Sequence, residues 1–98
     1  MTNSGVDGLN KCRERIDQID RDILDLLNHR TTIVEEIGRI KQALEMAVYE
    51  PKREDQVFAN VTGHNAGPLS SEAVRRIFER IIDEMRTVQK LKIMQKDC

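Results

Sequence analysis

The feature that most constrains the fold of this chain is a heptad pattern in its first half. No proline occurs before Pro51, and the only glycine between residues 9 and 60 is Gly38. All but one of the a and d positions are apolar: Leu9, Cys12, Ile16, Ile19, Ile23, Leu26, Arg30, Ile33, Ile37, Ile40 and Leu44. Because these positions alternate in spacings of three and four, the pattern predicts one long α-helix over about residues 9–46, after a flexible tail at 1–8.

Two further helix signals follow the break at Pro51. Proline suits the first turn of a helix, so we expect a short helix over about residues 51–61. The run Ser70-Ser71-Glu72 is typical of a helix start, and the apolar residues after it recur at helical spacing. This predicts a third helix over about residues 70–95. The chain, residues 1–98, is therefore expected to be a single all-α domain of three helices, in the order long, short, long.

The length of the first helix predicts a homodimer. A helix over residues 9–45 would be roughly 55 Å long. A compact globule of this chain length has a diameter of roughly 33 Å, so the apolar seam would extend past it. A second copy would cover the seam, and two-fold pairing is the commonest oligomeric state. We therefore predict an intertwined helical homodimer.

The composition argues against several classes of protein. Hydrophobic residues make up 39% of the chain and charged residues 34%, with a net charge of −1. No apolar stretch is long enough for a membrane span, and the charge balance is unlike that of a nucleic-acid binder. The N-terminus has no signal-peptide pattern, and Cys12 and Cys98 form no motif, so the cytoplasm is the expected location. His29 and His64 have no further ligands at metal-binding spacing, so no metal is expected.

Arg30 is the exception in the apolar seam. Its neighbours three and four positions away are all apolar: Leu26, Leu27, Ile33 and Val34. A guanidinium on an apolar face is costly unless an anion meets it. Arg30 therefore either binds an anionic ligand or sets the register of helix pairing by contacting a carboxylate on another helix. The sequence alone leaves both interpretations open.

Lys41 and Gly38 favour the ligand interpretation. Lys41 follows Arg30 by nearly three helical turns, so the two side chains share a face about 16 Å apart. Gly38 lies between them and would let a ligand or another helix approach the backbone. Lys41 by itself could instead pair with Glu45, four residues further on. Taken together, Arg30, Gly38 and Lys41 favour a cationic pocket.

Arg13 cannot belong to the same small site as Arg30 of its own chain. The two residues are separated by about 26 Å along the helix axis and lie on different faces. The structural alternative for Arg13 is a surface ion pair with Asp17.

Three more polar residues have both a structural and a functional interpretation. Arg53 could form a helical ion pair with Glu50, three residues earlier. Glu54 borders the apolar stripe of the second helix, where its carboxylate could accept a hydrogen bond from a hydroxyl group. Gln89 extends the apolar stripe of the third helix, either as an uncharged donor in a site or as a polar residue at the rim.

The order and spacing of these residues resemble the all-helical (AroQ-class) chorismate mutases over nearly the whole chain. The matching segments are Cys12-Arg13-Glu14-Arg15-Ile16-Asp17, Ile19-Asp20, Leu26-Leu27-Asn28-His29-Arg30, Glu36-Ile37-Gly38-Arg39-Ile40-Lys41, Glu50-Pro51-Lys52-Arg53-Glu54 and Ile77-Phe78-Glu79-Arg80-Ile81-Ile82, with Gln89 beyond them. No single segment is specific, whereas their joint order is. The resemblance implies a homodimer with two equivalent sites that convert chorismate to prephenate, on the route to phenylalanine and tyrosine, without a cofactor.

The resemblance also implies a role for each matching cation. Arg30 and Arg53 of one chain, together with the partner subunit's Arg13, match the arginines that hold the two substrate carboxylates. Lys41 and Gln89 match the pair that hydrogen-bonds the ether oxygen. Lys41, Gln89 and Arg30 are thus the expected catalytic residues.

Three further positions are expected to contact the substrate. Glu54 matches the carboxylate that binds the ring hydroxyl, and Glu50 matches a position that usually binds through its backbone. Met85 occupies a position that is often small and polar in this family, so only its backbone is expected to line the site.

Two alternatives remain open on the sequence. An isochorismate pyruvate-lyase resembles this fold, although Glu54 argues against it because the mutase must bind the chorismate hydroxyl. A non-catalytic dimerisation or regulatory domain, cut from a fusion with another shikimate-pathway enzyme, predicts that intramolecular carboxylates fill the cationic face. A partner enzyme of the same pathway is also a possible activator.

Overall fold

The chain forms three α-helices. The structure, a computed structural model, describes the backbone of residues 3–96 and the side chains of residues 4–91. The helices are α1 (Asn3–Ala43), α2 (Pro51–His64) and α3 (Ser71–Lys96), and no strand occurs within the described residues. The predicted all-α class and the order long, short, long are confirmed. None of the described helices combines the length and the apolar character that a membrane span requires.

Helix α1 begins earlier than the sequence predicted. The expected flexible tail at residues 1–8 is helical from Asn3 onward. Val6 lies one turn before Leu9 and continues the apolar pattern. Gly5 and Gly8 do not end the helix, because an isolated glycine costs only about 1 kcal/mol relative to alanine.

Helix α1 ends at Ala43, before the predicted boundary at residue 46, in a Schellman motif. Met46 N donates to Lys41 O at 2.8 Å, and Glu45 N donates to Gln42 O at 3.1 Å. Glu45 takes the left-handed conformation that this motif requires, with φ at 56°. Glycine usually fills that position, so the sequence carried no signal for the stop. The motif reverses the chain and brings residues 46–50 back past the last turn of α1.

Both later helices begin as the sequence indicated. Pro51 occupies the first turn of α2 after the N-cap residue Glu50, and α2 continues to His64, three residues beyond the predicted end. Ser70 caps α3, since its Oγ accepts a hydrogen bond from Ala73 N at 3.1 Å. Helices α2 and α3 pack together, with the guanidinium of Arg75 4.2 Å from the centre of the Phe58 ring.

The chain divides into two compact units, Met1–Thr32 and Ile33–Cys98. The described part of the first unit is helical, and most of its large apolar side chains are exposed. Cys12 is exposed and free there, whereas Cys98, which was expected to form no motif with it, lies outside the described residues. The second unit has a small core, formed by Val34, Phe58, Val74, Ile82 and Met85.

Candidate active site

Lys41 lies in the last turn of α1, with only 8% of its surface exposed. Its Nζ donates to Val48 O at 2.9 Å and forms an ion pair with Glu50 Oε1 at 2.7 Å. The pairing with Glu45 that the sequence allowed is therefore wrong, because the Schellman motif turns residues 46–50 toward the ammonium instead. An ammonium carries three N–H donors, so these two contacts leave a third for a ligand.

Gln89 packs against the C-terminal part of α1. It is 7% exposed, and its Nε2 donates to Val34 O at 3.2 Å. Gly38 permits this approach, since a Cβ atom built on it would lie 3.4 Å from Gln89 Cγ. The bond to Val34 orients the side-chain amide and leaves its second N–H available.

Lys41 and Gln89 are the two buried polar side chains among residues 4–91. Val34, Gly38 and Lys41 follow one another at spacings of four and three, so they share one face of α1, and Gln89 lies on that face. Burial of polar groups is costly unless they are hydrogen-bonded, and both residues have such partners. The result is a pair of fixed donors shielded from water.

Glu54 forms an ion pair that the sequence did not reveal. Its Oε2 accepts a hydrogen bond from Arg86 Nη2 at 2.6 Å, and the two side chains are 23% and 27% exposed. A signal for Arg86 was available, because it lies four residues after the buried Ile82 and three before Gln89. Asp83, three residues earlier, is a local carboxylate that also contacts Arg86, so helical spacing alone does not select Glu54 as the partner.

Arg86 is held by contacts on several sides. Its Nη1 lies 3.4 Å from Asp83 Oδ1, and its guanidinium lies 5.0 Å from the centre of the Tyr49 ring. Its Nε is buried and has no hydrogen-bond acceptor among the residues that the structure describes. The hydrogen bond to Glu54 raises the pKa of Arg86 above its usual value, although burial opposes this, so Arg86 remains a cation.

Arg53 and Met85 differ in exposure. Arg53 is exposed, and its Nη1 donates to Gln56 Oε1 at 3.3 Å. The ion pair with Glu50 that the sequence allowed does not form, because Glu50 contacts Lys41 instead. Met85 is buried in the core of the second unit.

Arg13 and Arg30 belong to the first unit. Arg13 is exposed and forms no ion pair with any residue in the described part of the chain, so its pairing with Asp17 is absent. Arg30 is half-buried. The structure thus brings Lys41, Glu50 and Gln89 into the second unit with Glu54, whose N donates to Glu50 O at 3.1 Å.

This arrangement suits electrostatic catalysis. Fixed donors that are shielded from water can stabilise negative charge as it develops on a substrate atom. The carboxylate of Glu54 can accept a hydrogen bond from a hydroxyl group. Within the described residues, no three His, Cys, Asp or Glu side chains are grouped so that they could hold a metal ion.

Comparison with known sequences identifies relatives over most of the chain. The sequence profile of a family described as chorismate mutase type II matches residues 12–90. A bifunctional chorismate mutase/prephenate dehydratase from Stutzerimonas stutzeri is 37% identical over 84 residues, which are 81% of this chain. The chain spans only 23% of the length of that relative. A chorismate mutase from Methanocaldococcus jannaschii is 26% identical over 87% of both chains.

A solved structure has the same fold. It is a chorismate mutase from Thermus thermophilus, and it superimposes with a TM-score of 0.82 at 34% sequence identity. The match covers 84% of this chain and 93% of the Thermus chain.

Proposed function

This chain belongs to the chorismate mutase type II family, and we propose that it rearranges chorismate to prephenate in the cytoplasm, on the route to phenylalanine and tyrosine. The observation that carries the proposal is the buried donor pair, Lys41 Nζ and Gln89 Nε2. Lysine and glutamine side chains are mostly exposed in proteins, whereas here both are buried beside Gly38, near the end of α1. They suit a substrate atom that gains negative charge.

The chemistry of the rearrangement matches these donors. The reaction is an intramolecular [3,3] step in which the ether C–O bond breaks as a C–C bond forms. It needs no nucleophile, and no proton is transferred. Negative charge develops on the ether oxygen, which the remaining N–H groups of Lys41 and Gln89 stabilise in the transition state.

Carboxylate and hydroxyl contacts hold the reactive conformer. In this proposal Arg30, Arg53 and the partner subunit's Arg13 bind the two substrate carboxylates, since guanidinium groups match carboxylates in a bidentate manner. The carboxylate of Glu54 accepts a hydrogen bond from the ring hydroxyl. These contacts orient the two ends of the substrate so that the new bond can form.

Two backbone contacts complete the proposed site. Glu50 binds substrate through its backbone, which leaves its side chain with Lys41. Met85 lines the site through its backbone, which agrees with the burial of its side chain in the core.

The exposed apolar surface of the first unit is the observation that supports a homodimer. Large apolar side chains of the first unit are 48–67% exposed in the single chain: Leu9, Ile16, Ile19, Ile23, Leu24 and Leu26. Contiguous apolar surface of this kind marks an interface. We propose that a second copy covers it in a two-fold homodimer, which also brings Arg13 to the site of the other chain.

One observation favours a second candidate. Lys41 is paired with Glu50, as a non-catalytic dimerisation domain with filled cationic positions would predict. The third N–H of Lys41 and the second N–H of Gln89 argue for the enzyme. The isochorismate pyruvate-lyase alternative remains disfavoured by Glu54.

The test is to incubate the purified chain with chorismate and to identify the product by proton NMR, because prephenate has the same mass as chorismate. Prephenate formation that is lost in Lys41→Met but kept in Lys52→Met, where the lysine is exposed, supports the proposal. Salicylate and pyruvate from isochorismate, with chorismate unchanged, would establish the lyase. Inertness toward both substrates would contradict the proposed activity of this chain.

A further inference from the structure

The Arg86–Glu54 contact differs from the other ion pairs of α3. It joins α3 to α2 across 32 positions in the sequence. Arg75–Glu79 and Arg80–Glu84, in contrast, link neighbours four residues apart on the exposed surface of α3. At 2.6 Å, and with both side chains largely shielded from water, the contact with Glu54 has the short distance of a charge-assisted hydrogen bond. It therefore holds the carboxylate in a defined position.

The guanidinium of Arg86 is placed for Glu54 rather than for a ligand. Its Nε is buried without an acceptor in the described part of the chain, which is an unfavourable position for a donor. Its Nη2 donates to Glu54, its Nη1 donates to Asp83, and its face is covered by the Tyr49 ring. With its contacts directed at protein groups, Arg86 is expected to influence a substrate through the carboxylate of Glu54.

The contact uses one carboxylate oxygen of Glu54 and leaves the other oxygen available for a further hydrogen bond. Arg86 binds Oε2, whereas Oε1 accepts no hydrogen bond from the residues described. The cation also offsets the negative charge of Glu54, which would otherwise repel a substrate with two carboxylates. The negative charge of Glu54 is thus balanced by Arg86, and Oε1 remains available. Such a carboxylate is suited to accept a hydrogen bond from a hydroxyl group of an anionic molecule.

We propose that Arg86 is a positioning residue for substrate recognition, because it fixes Glu54 with Oε1 toward the ring hydroxyl of chorismate. The inference rests on the proposed function. The hydroxyl does not change during the rearrangement, so the contact through Glu54 contributes equally to the ground state and the transition state. Loss of Arg86 should therefore raise KM more than it lowers kcat.

The experiment compares two substrates in two arginine variants of α3. The substrates are chorismate and an analogue in which hydrogen replaces the ring hydroxyl. In Arg86→Gln, kcat/KM for chorismate should fall by roughly ten- to a hundredfold, as loss of a charged hydrogen bond implies, with little change for the analogue. Arg80→Gln is the matched control, since Arg80 also has a carboxylate partner but is exposed, and it should retain both activities.

A double variant tests whether Arg86 acts through Glu54. With Glu54→Gln already present, Arg86→Gln should cost no more than about twofold, since the effects of coupled residues do not add. Equal losses for both substrates, or losses in the double variant that multiply, would show that Arg86 supports only the fold.

Two further outcomes keep the inference separate from the proposed function. If Arg86→Gln does not fold, Arg86→Lys is used instead, because it keeps the positive charge. This variant should lose part of the activity toward chorismate but none of the activity toward the analogue. Loss of both activities in Arg86→Lys would overturn the inference. A wild-type chain that turns over neither substrate overturns the proposed function itself, whereas an active wild type with an unaffected Arg86→Gln overturns only the role of Arg86.

Discussion

At the scale of single residues, Gln89 shows how a neutral side chain serves a buried site. Its Nε2 donates to Val34 O, so the side chain must provide an N–H group at this position. An amide does so at any physiological pH, whereas a carboxyl group does so only when it is protonated. The choice of glutamine over glutamate therefore sets the pH range over which the donor works.

Gln89→Glu should make activity depend on pH. An unperturbed glutamate titrates near pH 4.3, and burial beside the Val34 carbonyl raises that value. The variant should lose activity as the pH rises through its pKa, because only the protonated form donates. The wild type should stay flat from about pH 5 to 8, where the amide does not titrate. A variant whose pH profile of kcat/KM matches the wild type would mean that Gln89 does not contact the ether oxygen.

Gly38 should tolerate little more than a methyl group. Its Cβ position lies 3.4 Å from Gln89 Cγ, whereas no described atom outside the local helix lies within 4 Å of the Cβ position of Gly63. Gly38→Leu should lower the free energy of unfolding by about 1–3 kcal/mol through overpacking and should displace Gln89. Gly63→Leu, the matched change near the end of α2, should not lower stability, because leucine is the better helix former, and should leave activity nearly unchanged. Urea unfolding measures the stability of both variants, and kcat/KM measures their activity. Equal effects of the two substitutions would contradict the close approach of Gln89 to Gly38.

At the scale of elements, the end of α1 determines what surrounds Lys41. The Schellman motif places Glu45 at φ 56° and turns the chain so that Val48 O and Glu50 reach the ammonium. A non-glycine residue in this conformation is strained. The strained residue therefore lies at the end of α1, close to Lys41, which is the most buried cation among residues 4–91.

Glu45→Gly should stabilise the protein. Glycine adopts the left-handed conformation without a steric penalty, so the free energy of unfolding should rise by about 1 kcal/mol. Glu45→Ala is the control, because it removes the same side-chain charge and keeps the Cβ atom, and it should bring no such gain. Chemical denaturation measures both, and equal stability of the two variants would contradict the strain assigned to Glu45.

The elements were more predictable than their contacts. The heptad pattern and the Pro51 and Ser70 signals were sufficient for the three helices, because apolar periodicity and capping are local properties. The end of α1 was missed because Glu45 replaces the glycine that would have marked it. The Arg86–Glu54 pair was missed because it depends on how α2 packs against α3, which local spacing does not contain.

The residues of the proposed site show the same division. Helical spacing placed Gly38 and Lys41 on one face, and the structure adds Gln89 to that face. Spacing also suggested Glu45 and Glu50 as partners of Lys41 and Arg53, and both suggestions were wrong because Glu50 turns to Lys41. The roles of Arg13 and Arg30 in binding stay predictions.

At the scale of the whole molecule, the first unit gives a reason for a second copy. Its apolar side chains form the first part of the heptad seam, and Ile16, Ile19 and Ile23 remain about half exposed in the single chain. The second unit, in contrast, has a core of its own. Exposed apolar surface on one unit is removed from water when two copies pair.

The chain should be a dimer at micromolar concentration. Light scattering should give a mass of about twice the 11.3 kDa of one chain. Ile19→Glu should shift the mass toward the monomer, because a carboxylate in an apolar interface is costly. Lys11→Glu changes an exposed polar residue on the same helix and serves as the control. A wild-type mass of one chain at this concentration would contradict the dimer.

The central claim, a mutase whose sites are shared between two copies, is tested most directly by mixing two inactive variants. Arg13→Ala and Arg30→Ala should each be nearly inactive alone, since each lesion removes a carboxylate contact from every site. After subunit exchange, about half of the dimers should be mixed by random pairing. In a mixed dimer one site carries both lesions and the other carries neither.

The account predicts that roughly a quarter of wild-type prephenate formation returns, because half of the sites in about half of the dimers are intact. Mass labelling of the two variants confirms that exchange has occurred. Complete subunit exchange without recovery of activity would contradict the shared site. Arg13 would then be a surface residue of its own chain with no role in the other chain's site.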